Sequence, residues 1–226
     1  MSALRFSVLI IFFPILLGAC DRSDLIRIRI LSPISETKKD HTIFTDTSLS
    51  STAKKITTAD PKTSGGSLYF LFKSIGLGYT TVTTKIDNEI LNSSSNALLL
   101  REKTTLVTNY TDLAFGIGEN YTLMWGAGVL AGGKLDTTLN YGYNSGATDE
   151  TVLHKNLSGH SLFLMLGHHG FGFETLLGFR TNYIKAYLED SLSTAKKKKA
   201  AGSISYESSG LRFTTNQVQL GIGFTF

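Results

Sequence analysis

From Val218 to the end of the chain, apolar positions alternate without a break. Val218, Leu220, Ile222, Phe224 and Phe226 fall on one side, and Gln217, Gln219, Gly221, Gly223 and Thr225 on the other. A period of two marks a β-strand with one apolar face. Phe171–Tyr183 repeats the pattern, with Phe171, Phe173, Leu177, Phe179 and Tyr183 opposite Gly172, Glu174, Gly178, Arg180 and Asn182. Tyr121–Ala131 sets Tyr121, Leu123, Trp125, Ala127 and Val129 against Thr122, Met124, Gly126 and Gly128. Ser158–Gly167 places Leu162, Leu164 and Leu166 together, and Thr104–Ile117 does so with Val107, Leu113, Phe115 and Ile117.

A sixth segment, Leu68–Thr84, is apolar on both faces at its start. If Tyr69, Leu71, Ile75, Leu77 and Tyr79 face outward, Lys73 joins them. In a membrane that would cost roughly 2–4 kcal/mol near the midplane. A bulge near Lys73-Ser74 is therefore predicted, turning the lysine inward. The connections between segments alternate in length. Lys85–Asn96, Asp136–Asn156 and Leu188–Gly210 are long, whereas Gly116–Asn120 and His168–Gly170 are short. Short turns on one side and long loops on the other are the habit of a membrane barrel, whose strands need about 9–11 residues to cross.

Composition narrows the classes. Hydrophobic residues make up 42% and charged residues 18%, yet no apolar run of helix length follows residue 19, which excludes a bundle of membrane helices. The single cysteine, Cys20, excludes an internal disulfide framework and a Cys-cluster metal site. The net charge of +4 is diffuse except for Lys196-Lys197-Lys198-Lys199, and no interleaved aromatic platform accompanies it, so nucleic-acid binding has no support.

The N-terminus reads as an address. Arg5 and the apolar run from Phe6 to Leu17 have the make-up of a signal peptide over residues 1–19. Leu17-Gly18-Ala19-Cys20 resembles the bacterial lipobox, which implies cleavage before Cys20 and lipidation of its thiol. Asp21 resembles an inner-membrane retention signal of enteric bacteria. Residues 20–66 are polar and rich in Ser, Thr, Lys and Asp, and read as a lipidated, periplasmic linker. Within it Leu25–Ile30 alternates with period two, consistent with either a short strand or a basic-apolar tether near the lipid.

The apolar alternation Val218, Leu220, Ile222, Phe224 and terminal Phe226 resembles the insertion signal of bacterial outer-membrane β-barrels. With the glycine-rich hairpins, residues 67–226 resemble a small barrel of the OmpA/OmpX-like class. The resemblance implies an all-β, antiparallel, up-and-down transmembrane barrel of eight strands in the bacterial outer membrane. It further implies insertion by the barrel-assembly machinery, a periplasmic N-terminus, and external loops meeting lipid and lipopolysaccharide. Six strands are located. Leu25–Ile30, His41–Asp46 or a hairpin hidden in the noisier regions would supply the others.

The lumen of so small a barrel is filled by side chains. Glu174, Arg180, Asn182, Gln217 and Gln219 are its expected polar network, with Lys73, Asp112 and Lys134 as further candidates. Their expected role is mutual hydrogen bonding and ion pairing. Lys196–Lys199 are candidates for contact with lipopolysaccharide phosphates, and Tyr141, Tyr143 and Tyr206 lie in loops 136–156 and 188–210. Any extracellular ligand would meet loops 85–96, 136–156 and 188–210.

His160-Ser161 with Glu174 invites comparison with lipid A deacylase barrels. A turn centred on His169 would pair positions summing to about 338, setting His160 opposite Gly178 and Glu174 opposite Leu164. That leaves base and carboxylate out of reach of each other. No catalytic residue, metal ligand or cofactor is expected. Adjacent His168 and His169 point opposite ways on a strand and suit a solvated turn. The rival readings are a narrow channel for small solutes and a lipidated lipocalin-like carrier with its apolar face inward. Large aromatics on one face and glycine on the other favour the membrane barrel, and the lipocalin Gly-x-Trp start is missing around Trp125.

Overall fold

The computed structural model describes residues 26–38, 44–46, 54–58, 61–92, 95–141, 150–154, 156–170, 173–187, 204–206 and 211–226. Among the described residues twelve strands run in chain order: β1 Ile26–Lys38, β2 Phe44–Asp46, β3 Lys54–Thr58, β4 Lys62–Phe72, β5 Ile75–Asn92, β6 Leu98–Ile117, β7 Tyr121–Tyr141, β8 Glu150–His154, β9 Asn156–Gly170, β10 Phe173–Tyr187, β11 Ile204–Tyr206 and β12 Leu211–Thr225. Eight of them close a ring in the order β1, β4, β5, β6, β7, β9, β10, β12 and back to β1, every neighbour antiparallel. The seam between first and last strands is tied by Ile26 N–H to Phe226 O at 3.0 Å and Phe226 N–H to Ile26 O at 2.9 Å. Closure leaves no unpaired edge around the belt, which is what an up-and-down barrel achieves.

The ring holds two strands beyond the six segments located in the sequence, and both differences have a local cause. Leu68–Thr84 is a hairpin. β4 ends at Phe72, β5 begins at Ile75, and Lys73-Ser74 form a two-residue turn with Lys73 at φ 56°. Tyr69 and Leu71 therefore point inward, and Leu68, Phe70 and Phe72 point out with Ile75, Leu77 and Tyr79. No bulge is needed to turn Lys73 away from the apolar outer belt, because it stands exposed at the turn. A two-residue turn between two apolar arms shifts the face from even to odd numbers, and the apolar character of both faces hid that shift.

The other strand is β1, which lies inside the stretch read as a linker. The barrel begins at Ile26, and β4 also starts before residue 67, at Lys62. Ile30 is exposed on the outer face while Arg27 and Arg29 are buried in the lumen. β1 runs on through Pro33 to Lys38, with the register against β12 shifting between Pro33 and Ser35. Proline lacks the ladder donor and is accommodated at such an irregularity. β1 pairs with β4 only from Ile26↔Phe72 to Leu31↔Ser67. Above that point side chains bridge the wall, with Thr63 Oγ1 donating to Glu36 Oε2 at 2.7 Å and Ser32 Oγ to Gly65 O at 3.2 Å.

The loops are also shorter than read. β5 continues to Asn92 and β6 starts at Leu98, so most of the 85–96 connection is paired strand. β7 reaches Tyr141 and carries β8 on its far half, from Leu135↔His154 to Leu139↔Glu150. β3 pairs with Asn88–Asn92 of β5. β5, β6 and β7 span 18, 20 and 21 residues against 15 for β9, β10 and β12, so with β3 and β8 they rise as a sheet beyond the barrel. Of the segment His41–Asp46, the described Phe44–Asp46 lies outside the ring: β2 pairs with β11 in a separate two-stranded sheet.

The turn end of the barrel holds Lys73-Ser74, residues 118–120 and both ends of the ring. The loop end holds the longer connections. Outward positions near the turn end are large and apolar, among them Phe70, Leu77, Leu113, Val129, Leu164, Phe179, Leu220 and Ile222, each exposed. Further up the outer face becomes Thr81, Lys85, Lys103, Lys134 and Asn216.

Candidate functional site

Inside the barrel, polar and apolar layers alternate along the axis. Nearest the turns Arg29 grips Glu174, with Nε to Oε2 at 2.7 Å and Nη2 to Oε1 at 3.0 Å, and Nη2 also reaches Thr122 Oγ1 at 2.9 Å. Arg27 Nη2 donates to Gly118 O at 2.6 Å, and its Nε lies 3.9 Å from Glu174 Oε1. Above this comes an apolar disc that includes Leu31, Leu71, Ala114, Met124, Met165 and Leu176.

The next layer is organised by Arg180. Its Nη1 donates to Asp112 Oδ2 at 2.9 Å, Tyr69 Oη at 3.0 Å and Thr80 Oγ1 at 2.9 Å. Nη2 donates to Asp112 Oδ1 at 2.5 Å and Ser161 Oγ at 2.6 Å, and Nε to Asn182 Oδ1 at 3.2 Å. The guanidinium also lies 4.9 Å from the Tyr110 ring centroid and 5.3 Å from that of Phe163. One side chain of β10 thus binds residues of β4, β5, β6 and β9 across the lumen. A charge buried this deeply is tolerated when it is paired and its donors are satisfied. Higher still, Glu36 accepts from Thr63, from Thr84 and, at 3.2 Å, from Gln217 Nε2.

Glycine makes room for these side chains. A Cβ on Gly128 would run into Asp112 Oδ1, Ser161 Oγ and Arg180 Nη2. On the outer wall of the strand extension, Arg101 hydrogen-bonds Asp87, which holds the guanidinium above its ordinary value, and also pairs with Glu89 at 3.4 Å.

The residues singled out in the sequence fall as follows. Glu174, Arg180, Asn182, Gln217 and Gln219 are all buried in the lumen and linked: Asn182 Nδ2 donates to Thr215 Oγ1 at 3.0 Å and Gln219 Nε2 to Gln217 Oε1 at 3.4 Å. Asp112 joins them. Lys134 does not, standing on the outer face beside Asp136 at 2.7 Å. Val218, Leu220, Ile222, Phe224 and Phe226 lie on the outer face of β12 and at its end. Reading the sequence missed Arg27, Arg29, Glu36, Tyr69 and Ser161. Only the Ile-Arg alternation at 26–30 signalled any of them. Residues 1–25, with the signal segment, Cys20 and Asp21, lie outside the described residues, as do Lys196–Lys199, His41 and Tyr143.

The β9–β10 register sums to 343 rather than 338, because the strands run on to Gly170 and from Phe173. His160 stands opposite Tyr183, and Glu174 opposite His169. Nine positions along β10 separate Tyr183 from Glu174 (183 − 174), roughly 30 Å at strand rise. His160 is exposed outside while Ser161 and Glu174 are buried inside. These residues cannot form a nucleophile–base–carboxylate array. His168 is exposed beside Tyr121, ring centroids 4.9 Å apart, and the His169 N–H donates to Asn120 O at 2.7 Å. Among the described residues no cluster of His, Cys, Asp and Glu could hold a metal ion.

The fold and its interior define a closed, eight-stranded, antiparallel up-and-down β-barrel with an apolar outer belt and a packed polar lumen. Solved structures similar to the chain belong to outer-membrane proteins. OprG from Pseudomonas aeruginosa is 11% identical with a TM-score of 0.40, covering 91% of this chain and 97% of that one. Neisserial surface protein A is 9% identical with a TM-score of 0.42, covering 91% and 98%. The outer membrane protease OmpT from Escherichia coli is 10% identical with a TM-score of 0.43, covering 90% and 97%. No protein-family model and no curated protein matches the chain.

Proposed function

We propose that this chain is a bacterial outer-membrane barrel with a structural or surface-recognition role, neither a conductor of solutes nor an enzyme. One observation carries the reading: the lumen is crossed by the Arg180–Asp112 pair, tied into β4, β5 and β9 as well. A conduction path would have to break a buried ion pair whose loss of one partner costs about 3–5 kcal/mol. The exposed apolar belt supports the membrane setting, since a water-facing surface rarely carries so large a contiguous apolar area.

Recognition falls to the loop end, where the β3–β5–β6–β7–β8 sheet carries Lys85, Asp87, Glu89, Arg101 and Lys103 outward. In this reading Cys20 is lipidated, the N-terminus is periplasmic, and the β12 pattern ending in Phe226 is read by the barrel-assembly machinery. Lys196–Lys199 would meet lipopolysaccharide phosphates.

The test uses the Cys20→Ser chain expressed with its signal. Membrane and soluble fractions are run boiled and unboiled on a denaturing gel, and the folded protein is then added to a planar bilayer. A membrane-bound protein that shifts on boiling and passes no ionic current supports the proposal. A soluble protein without a shift sinks the membrane reading, and discrete conductance steps would move the role to transport.

A further inference from the structure

The outer face of the β4–β5 hairpin is graded from the turn upward. By register its rows are Phe72 with Ile75, Phe70 with Leu77 and Leu68 with Tyr79, all exposed. Two rows of small or hydroxyl-bearing residues follow, Gly66 with Thr81 and Ser64 with Thr83. The row above them sets Lys62 directly opposite Lys85, and both are exposed. Lys103, on the outer face of the neighbouring strand β6, adds a third exposed cation, opposite Asp87 in the register.

The nearby acids are already engaged. Arg101 binds Asp87 at 3.1 Å and Glu89 at 3.4 Å. Asp136, in the same row as Lys85 on β7, holds Lys134 at 2.7 Å. Among the described residues Lys62, Lys85 and Lys103 have no ion-pair partner. Like charges directly opposite each other destabilise a sheet, and an anion between Lys62 and Lys85 offsets that repulsion. An ammonium group binds a phosphate as a point charge, with donors that rotate to meet it. Height selects the source of the phosphate. Six positions along β4 separate Leu68 from Lys62 (68 − 62), about 20 Å on a strand tilted by about 35–45°, hence about 15 Å along the barrel axis. A lysine stem reaches back over part of that distance. The lysines therefore stand where a lipid headgroup lies when its chains run down the apolar rows, with Ser64, Thr81 and Thr83 beside the ester or sugar level.

We propose that Lys62 and Lys85, with Lys103 beside them, bind the phosphate of an anionic membrane lipid whose chains pack on Leu68, Phe70, Leu77 and Tyr79. The inference rests on the membrane reading above. It uses none of Lys196–Lys199.

The experiment uses the full chain folded in a nonionic detergent. Native mass spectrometry follows titration with a phosphorylated glycolipid, with its dephosphorylated form, with phosphatidylglycerol and with inorganic phosphate. One saturable lipid per chain is expected, requiring the phosphate. Lys62→Gln and Lys85→Gln should each weaken it about fivefold, the effect of one basic contact at an anionic lipid surface. Lys85→Arg should retain it, and so should Lys134→Gln, which removes an exposed charge outside the patch. Lys62→Glu should abolish binding yet leave the urea midpoint no lower than that of the wild type, because opposite charges facing each other stabilise a sheet. Loss of binding there is then separate from loss of fold. Equal binding of the dephosphorylated glycolipid, no loss in the two glutamine variants, or an equal loss in Lys134→Gln overturns the proposal. Inorganic phosphate binding as tightly as lipid also overturns it, by making the site one for a free ion. Each protein is checked for a boiling-dependent gel shift. A wild type that lacks the shift fails the membrane reading. A wild type that shifts and binds no phospholipid or glycolipid fails this inference alone.

Discussion

Arg180 and Asp112 face each other across the lumen and bond through two parallel N–H···O contacts, at 2.5 and 2.9 Å, with both side chains fully buried. They lie on strands that are not neighbours in the ring, so the contact ties β6 to β10 where no backbone ladder can. Pairing of this bidentate kind fixes orientation as well as energy.

Removing one partner is therefore expected to be costly. Asp112→Ala leaves a buried guanidinium without its counter-charge and should lower barrel stability by about 3–5 kcal/mol. The joint replacement Asp112→Leu with Arg180→Met should cost less than either single change, because no lone charge remains. Urea midpoints of the unboiled, fast-migrating form measure all three. A double replacement as damaging as the sum of the singles would contradict the pairing.

Gly128 offers a sharper probe of the same layer. Gly128→Ala should destabilise by about 1–3 kcal/mol, since its methyl group would displace the Arg180–Asp112 pair. A methyl on Gly132 would meet only Asn109 Nδ2, at 4.0 Å, so Gly132→Ala serves as the mild control. Equal effects at the two sites would show that the lumen has slack at Gly128.

At the first tight turn, Lys73 carries φ 56°, where a branched side chain is strained. Lys73→Asn is expected to be neutral or stabilising by up to about 1 kcal/mol, and Lys73→Val destabilising. Had this residue occupied a bulge within one long strand, asparagine would carry no advantage. Refolding yield into detergent micelles and urea midpoints distinguish the two.

The belt is checked from outside. Phe179→Lys should cost roughly 2–4 kcal/mol in a bilayer, whereas Thr81→Lys, past the apolar band on β5, should cost no more than about 1 kcal/mol. Folding free energies in phospholipid vesicles provide the comparison. Similar costs at both positions would remove the apolar band from its assigned place.

Much of this barrel is written in period-two alternation. In β12 one face is apolar and the other small or polar; β10 and the first half of β7 add Leu176 and Met124 to the inner face, β9 adds Phe163 and Met165, and the residues of all four point as their alternation requires. Glu174, Arg180, Asn182, Gln217 and Gln219 could be placed on the inner face for the same reason: each sits one step out of phase with large apolar neighbours. Alternation is a local property, set by the geometry of a single extended chain.

What the tertiary structure decided was closure and partnership. Alternation cannot reveal that Lys73-Ser74 reverses the chain, because the first arm of that hairpin, Leu68–Phe72, is apolar on both faces. Nor can it show that Arg27 and Arg29 belong inside. An arginine in a polar stretch reads as solvated until Glu174, 145 positions away from Arg29 in the chain, is brought beside it. The β9–β10 register, the pairing of Arg180 with Asp112, and the row that joins His160, Tyr183 and Thr214 all depend on which strand lies beside which, and at what offset. Those choices bring buried charges of opposite sign together, Arg29 with Glu174 and Arg180 with Asp112. They belong to the closed ring, in which the first strand meets the last at Ile26 and Phe226.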